Sequence, residues 1–353
     1  MGAWQQQARC RERLERLATS TQDCESVQRE AIVDLQRLVG FDRWCWPLAD
    51  PVTLVPLGGV AEHDYGPRLP RALELEYSGG DFAAKDVLAR RANLAGSLRT
   101  ETGGDLARSP RWDEVMRGVG IGDIAVVACR DEFGCWGWVE AYRDNGGRPF
   151  EDGDLEFLAS IGPALGSVLR RGLGFVPPPD GDAATPSTTG VIVLNADLSV
   201  ADATTGARAW IGAFPGARLW AAWGMLPPAI YPVATRARAG RPAARARALW
   251  RVVDGRWVMV EAAPLEDRDQ GQIAVTLRDA TLAETFGQGC RVYGLSPRER
   301  EVAAALVAGL DTRAVTERLF ISRHTVQDHL KSVFGKMGIH SRREMLAMFS
   351  GQA

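Results

Sequence analysis

Lysine is nearly missing from this chain. Only Lys85, Lys331 and Lys336 occur among 353 residues, so the other 39 of the 42 basic side chains are arginine. A phosphorylated receiver domain, which needs an acidic pocket and a lysine at a strand end, is therefore not expected: the single lysine before residue 331 lies in the helix-like "AAKDVLARR". No apolar run is long enough to cross a bilayer, and the start, "MGAWQQQARCRERLERL", lacks a secretory apolar region, so the expected location is the cytoplasm. The six cysteines (Cys10, Cys24, Cys45, Cys129, Cys135, Cys290) form no CxxC pair. They read as reduced thiols, neither a disulfide framework nor a zinc site. Walker loops, HExxH and GxSxG are absent, and "GVGIGD" (118–123) reads as a loop entering a strand. No enzyme is expected. His63, the lone histidine outside the last 63 residues, is either a haem ligand or an exposed loop residue, and no cofactor can be named.

What is present is ordinary for a globular protein: 46% apolar and 24% charged residues, enough for two or three cores. Charge is unevenly spread. Residues 291–353 hold ten basic and six acidic side chains, whereas the remainder holds 32 and 38. A basic tail on an acidic body is the pattern of a nucleic-acid contact joined to a control region.

The punctuation divides the chain into a module at 1–175, a linker at 176–187 within "VPPPDGDAATPSTTG", a module at 188–285 and a terminal module at 290–353, with a weaker break at 285–294 and no internal repeat. In the first, helical periods at 4–18 and 22–39 precede strands at 41–48 and 123–144, the latter a hairpin turning near Asp131–Phe133; a helix at 151–171 closes it. The second opens with two strands around Asn195-Ala196-Asp197, has a helical middle, and ends in strands around Asp254-Gly255 and at "GQIAVTLRDAT". Both are α+β orders.

In the terminal module, Ser296 can cap a helix with Pro297 at its first position and Glu299 completing a capping box. A short helix follows at Thr312–Leu319. Ser322 then caps a third, on which Val326, Leu330, Val333, Phe334 and Met337 share one face. "SRRE" at 341–344 starts a fourth. The stretch "LSPREREVAAALVAGLDTRAVTERLFISRHTVQDHLKSVFGKMGI" resembles the LuxR-type helix-turn-helix, also called the NarL or FixJ type. The resemblance rests on its opening heptad, Gly309-Leu310, Ile321-Ser322, Thr325-Val326, His329 and Lys336; Val315-Thr316 and Gln327 depart from the usual pattern. It implies an all-α four-helix domain whose third helix enters the major groove of double-stranded DNA. Gln327 would then pair with adenine, Asp328 accept from cytosine, and Lys331 reach guanine or a phosphate. Arg323, His324 and Thr325 would meet phosphates at the helix start.

The first module resembles a GAF domain and the second a PAS domain. The related autoinducer-binding domain of quorum-sensing LuxR proteins is an alternative for the first. The flavin-binding Asn-Cys-Arg motif and the cyclic-nucleotide GAF signature are not present. These likenesses imply a homodimeric regulator whose body senses a small molecule, or else only dimerises or binds a protein partner. Trp44 and Trp46 alternate on one strand and Trp136 and Trp138 on another. All four are expected on one sheet face, where they either wall a ligand site or fill a core, with Cys45, Cys135 and Gly137 on the other. Trp210, Trp220, Trp223, Trp250 and Trp257 pose the same choice in the second module, with core the favoured reading.

Overall fold

A computed structural model of the chain describes residues 3–20, 22–62, 65–174, 188–242, 246–253, 255–265 and 271–350. His63, Asp254 and the linker assigned to 176–187 lie outside the described residues. Two five-stranded antiparallel sheets and a helical bundle follow one another along the chain.

The first module begins with α1 (Ala3–Leu17) and α2 (Cys24–Val39), the latter capped by Asp23, which accepts from the Ser26 N–H. Its strands are β1 (Arg43–Ala49), β2 (Pro56–Ala61), β3 (Ala95–Ser97), β4 (Ile121–Asp131) and β5 (Gly134–Asp144), in the order β2-β1-β5-β4-β3. Helices α3 (Leu69–Ser78) and α4 (Lys85–Leu88) connect β2 to β3, and α5 (Leu98–Thr102) follows β3. The closing helix α6 (Asp152–Gly174) lies on β4 with α1 and α2 beside it. Glycine sets that approach. A Cβ on Gly162 would come within 2.9 Å of the Ala128 carbonyl oxygen, and one on Gly166 within 2.7 Å of the backbone at Arg130–Asp131.

Behind the other face of this sheet sits a buried ion cluster. The Lys85 ammonium lies 2.6 Å from Glu76 and also contacts Glu140, which accepts from the Tyr142 hydroxyl. Arg111 reaches Glu76 at 3.0 Å and Asp81 at 2.8 Å. Burial alone would drive Lys85 toward neutrality; Glu140 and Glu76 outweigh it and hold its pKa above the ordinary lysine value.

The second module holds β6 (Gly190–Leu194), β7 (Val200–Ala203), α7 (Thr205–Ala213), α8 (Ala217–Ala222), α9 (Ile230–Arg238), β8 (Arg247–Arg251), β9 (Trp257–Pro264) and β10 (Ile273–Asp279). Its order, β7-β6-β10-β9-β8, repeats the wiring of the first sheet although no sequence repeat exists. Alternation along the strands turns Ile192, Leu194, Val258, Val260, Val275 and Leu277 to one face, where Trp210, Trp220 and Trp250 fill the core; Trp223 packs at its edge and Trp257 lies in a small cluster with Leu249 and Met259. Val55, Leu57, Leu73 and Tyr77 of the first module complete this second core. Polar contacts join the two modules as well: the Leu249 N–H donates to Asp50 at 2.8 Å, and Arg236 donates to the Thr53 carbonyl at 2.6 Å.

The tryptophan expectation needs correction. All four are buried, and Trp44, Trp46 and Trp136 lie in the core beneath α1, α2 and α6, but Trp138 packs on the opposite face with Leu88, Leu98, Tyr142 and Cys135. The cause is a β-bulge. Cys129 pairs with Gly137 and Arg130 with Cys135, which leaves Trp136 unopposed and reverses the alternation at that point.

Candidate nucleic-acid interface

The terminal module is built from five helices. The segment read as a weak break is α10 (Leu282–Val292), started by a capping box between Thr281 and Glu284. Gly289 gives it contact with the last helix: a Cβ there would lie 2.5 Å from the Phe349 ring, and Phe286 packs edge-on against the same ring at 5.0 Å. Next come α11 (Pro297–Val307), α12 (Thr312–Leu319), α13 (Arg323–Met337) and α14 (Arg342–Ser350). Ser296 and Glu299 form the expected capping box, and Asp311 caps α12.

Helix α13 starts at Ser322, whose Oγ accepts from the Thr325 N–H at 3.1 Å. Val326, Leu330, Val333 and Met337 are buried in the bundle core with Val302, Leu306 and Val315. The opposite side is open. Arg323, His324, Gln327, Asp328 and Lys331 are exposed, while Thr325 is half-buried. His324 and Asp328 stand 3.6 Å apart on consecutive turns, a solvated pair of little energetic weight. The six expected residues thus share one end and one side of a single helix.

Sequence reasoning missed what holds this helix. Lys336, noted only as part of the resemblance, does not join the exposed face. Its ammonium contacts Glu299 at 2.6 Å and the Gly294 carbonyl at 3.1 Å, and Ser332 donates to the other Glu299 oxygen at 2.6 Å. Burial pushes the Glu299 carboxyl up, but Lys336, Ser332 and the Ser296 N–H outweigh burial and hold it down at about 2. Arg298 donates to the Leu319 carbonyl at 2.6 Å and so closes α11 onto the end of α12. Phe320 also escaped notice. It ends α12 in the left-handed conformation, φ 52°, and is 94% exposed. The signal was an aromatic residue where a helix C-terminus usually has glycine.

The module is tied to the body through α10. Arg170 on α6 joins Asp131 at 2.6 Å and donates to the Val292 carbonyl, while Arg291 donates to the Phe133 carbonyl at the tip of the β4–β5 hairpin. Among the described residues no group of His, Cys, Asp and Glu is placed to hold a metal ion, and no helix is long and apolar enough to cross a membrane.

Known proteins resemble this part of the chain. A protein of Aeromonas salmonicida named as an HTH-type transcriptional regulator in the exeN 3′ region is 44% identical over 55 residues, 16% of this chain and 28% of that one. The HTH-type regulator named GfsR of Streptomyces halstedii is 35% identical over 65 residues, 18% of this chain and 27% of the other. The Fimbriae Z protein of Escherichia coli K12 is 36% identical over 52 residues, 15% and 25% of the two chains. The similarity therefore spans well under a third of each relative's own length. Residues 294–349 match the family described as bacterial regulatory proteins, luxR family. The C-terminal bundle of this chain is accordingly a helix-turn-helix domain of the luxR family.

Proposed function

We propose that this protein is a homodimeric, DNA-binding transcriptional regulator, in which α13 enters the major groove and two sensor-type modules govern how the terminal domains are presented. The observation that carries this reading is the divided character of α13: an apolar side locked in the bundle and a polar side left open. In this reading Gln327 and Asp328 read base edges, Lys331 reaches guanine or phosphate, and Arg323, His324 and Thr325 meet the backbone at the helix N-terminus. A GAF-like first module and a PAS-like second module are supported by element order and by the strand order common to both sheets. Selection of duplexes from a random pool by the full chain tests the proposal. The expected product is a two-fold motif with half-sites about one helical turn apart and salt-sensitive affinity; failure to enrich any sequence overturns it.

A second reading makes the body a dimerisation or protein-interaction scaffold without a ligand. The burial of Trp44, Trp46, Trp136 and Trp138 in the cores of the first module supports it, since side chains that fill a core do not wall a ligand site.

A further inference from the structure

Phe320 is the most exposed large apolar side chain among the described residues, 94% open against 75% for Trp4. A single exposed apolar residue ordinarily needs no explanation. This one differs because its backbone is left-handed, φ 52° and ψ 46°, a conformation that strains any side chain but glycine. With so little of it buried, the ring recovers almost none of that cost by packing. The turn is nonetheless held firmly. The Phe320 N–H donates to the Thr316 carbonyl, as does that of Ile321 at 3.3 Å, and Arg298 fixes the Leu319 carbonyl at 2.6 Å.

The charges beside this turn are a separate observation. Arg318 precedes the ring and Arg323 follows it; both are exposed, and neither has an ion-pair partner among the described residues. The carboxylates of the same stretch are engaged elsewhere. Asp311 caps α12, Glu317 meets Arg313 at 3.0 Å, and Asp328 lies 3.6 Å from His324. Along the chain, the ring is thus bordered on both sides by uncompensated guanidinium groups, next to the end of α13 that carries Arg323, His324 and Thr325. A partner surface that matches this sequence of groups must offer apolar area between anions. One strand of a DNA duplex does so, because its deoxyriboses alternate with phosphates. A wholly apolar protein surface would desolvate both guanidinium groups without pairing them.

We propose that Phe320 is a DNA-contact residue outside the recognition helix: its ring packs on the deoxyribose edge of one strand while Arg318 and Arg323 meet phosphates on either side. Such a contact reads no base. It sets the depth and angle at which α13 lies in the groove, as contacts to the DNA backbone do generally. Because the turn is already fixed, little ordering entropy is lost on binding. The contact rests on the DNA-binding reading above and adds to it an apolar anchor that the polar face of α13 does not supply.

Fluorescence-anisotropy titration of the full chain with the selected duplex, repeated across a salt series, tests this contact. Phe320→Gly keeps the left-handed turn and removes the ring, whereas Phe320→Tyr keeps the ring. The expected result is an affinity about fivefold lower in Phe320→Gly, with an unchanged salt slope because an apolar contact releases no counterions. Phe320→Tyr should stay within about twofold of the unaltered chain, and Arg318→Gln should lower the salt slope by about one unit. Thermal melts should show all three variants folded, since glycine accepts the turn and Phe320 and Arg318 are exposed. Equal affinity in Phe320→Gly and the unaltered chain overturns the proposal, as does an equal loss in the glycine and tyrosine variants or an unchanged slope in Arg318→Gln. These outcomes leave the regulator reading intact; an unaltered chain that binds no duplex removes both.

Discussion

Trp136 and Trp138 are separated by one glycine on β5 yet point to opposite faces of the sheet, with their indole nitrogens donating to Asp131 and to the Lys85 carbonyl. Each therefore supports a different core. Trp136→Ala and Trp138→Ala should each cost about 3–5 kcal/mol in urea unfolding. A loss well under this range in either variant would contradict the packing described here.

On α13, Lys331→Ala should weaken DNA binding and, if the contact is a phosphate, lower the salt slope by about one unit. Gln327→Ala should instead relax preference at one base pair, by about 1–3 kcal/mol. Affinity measured across salt concentrations and single-base variants of the selected site separates the two. Unchanged behaviour in both variants sinks the placement of α13.

Glu299 ties the DNA-binding domain to pH. Its ordinary pKa of 4.5 falls to about 2 in the folded state, so folding favours the carboxylate. The stabilisation is complete above pH 4.5 and is lost as pH falls toward 2. Glu299→Gln should lower the melting temperature at neutral pH and flatten its acid dependence across that window. A melting curve with the same acid slope in both proteins would remove Glu299 as the cause.

The position of α10 changes where the terminal domain begins. Phe286 and Thr285 reach Phe349, and Cys290 is buried in the same core. A fragment from residue 281 should melt above one from residue 290, with each kcal/mol worth about 4–8 °C in a domain of this size. Equal melting temperatures would return the boundary to residue 290.

Phe320 is held at positive φ with almost no burial. Phe320→Gly should relieve this strain and raise stability by about 1 kcal/mol. If DNA affinity drops in the stabilised variant, the exposed ring has a binding role; thermal melts and DNA titrations read the two effects separately.

How legible these features were depended on how local their causes are. Ser296, Ser322 and the helix Thr312–Leu319 were readable because capping is settled within four residues. Strands β2 and β3, "PLGGVA" and "AGS", have no period of their own; each lies at an edge of the sheet and is defined only by its pairing, β2 with β1 and β3 with β4. Gly287 and Gly289 made α10 resemble a break, although Thr281 and Glu284 announced its start; the Phe349 ring explains one of those glycines. The bulge at Trp136 was invisible because period-two reasoning assumes an unbroken ladder. The exposed face of α13 was legible, but its clamp was not, since Lys336 and Glu299 lie 37 residues apart and meet only when α11 and α13 pack.

The shared strand order also bears on how the chain is made. In each sheet the first strand lies beside the last, β1 against β5 and β6 against β10. A nascent chain cannot close its first sheet until Asp144 has left the ribosome, nor its second until Asp279 has. The second core also needs Val55, Leu57, Leu73 and Tyr77, which the first module must already present. Synthesis from the N-terminus thus supplies the scaffold before the part that depends on it, and a circular permutant beginning at residue 188 would reverse that order and expose an incomplete core during translation.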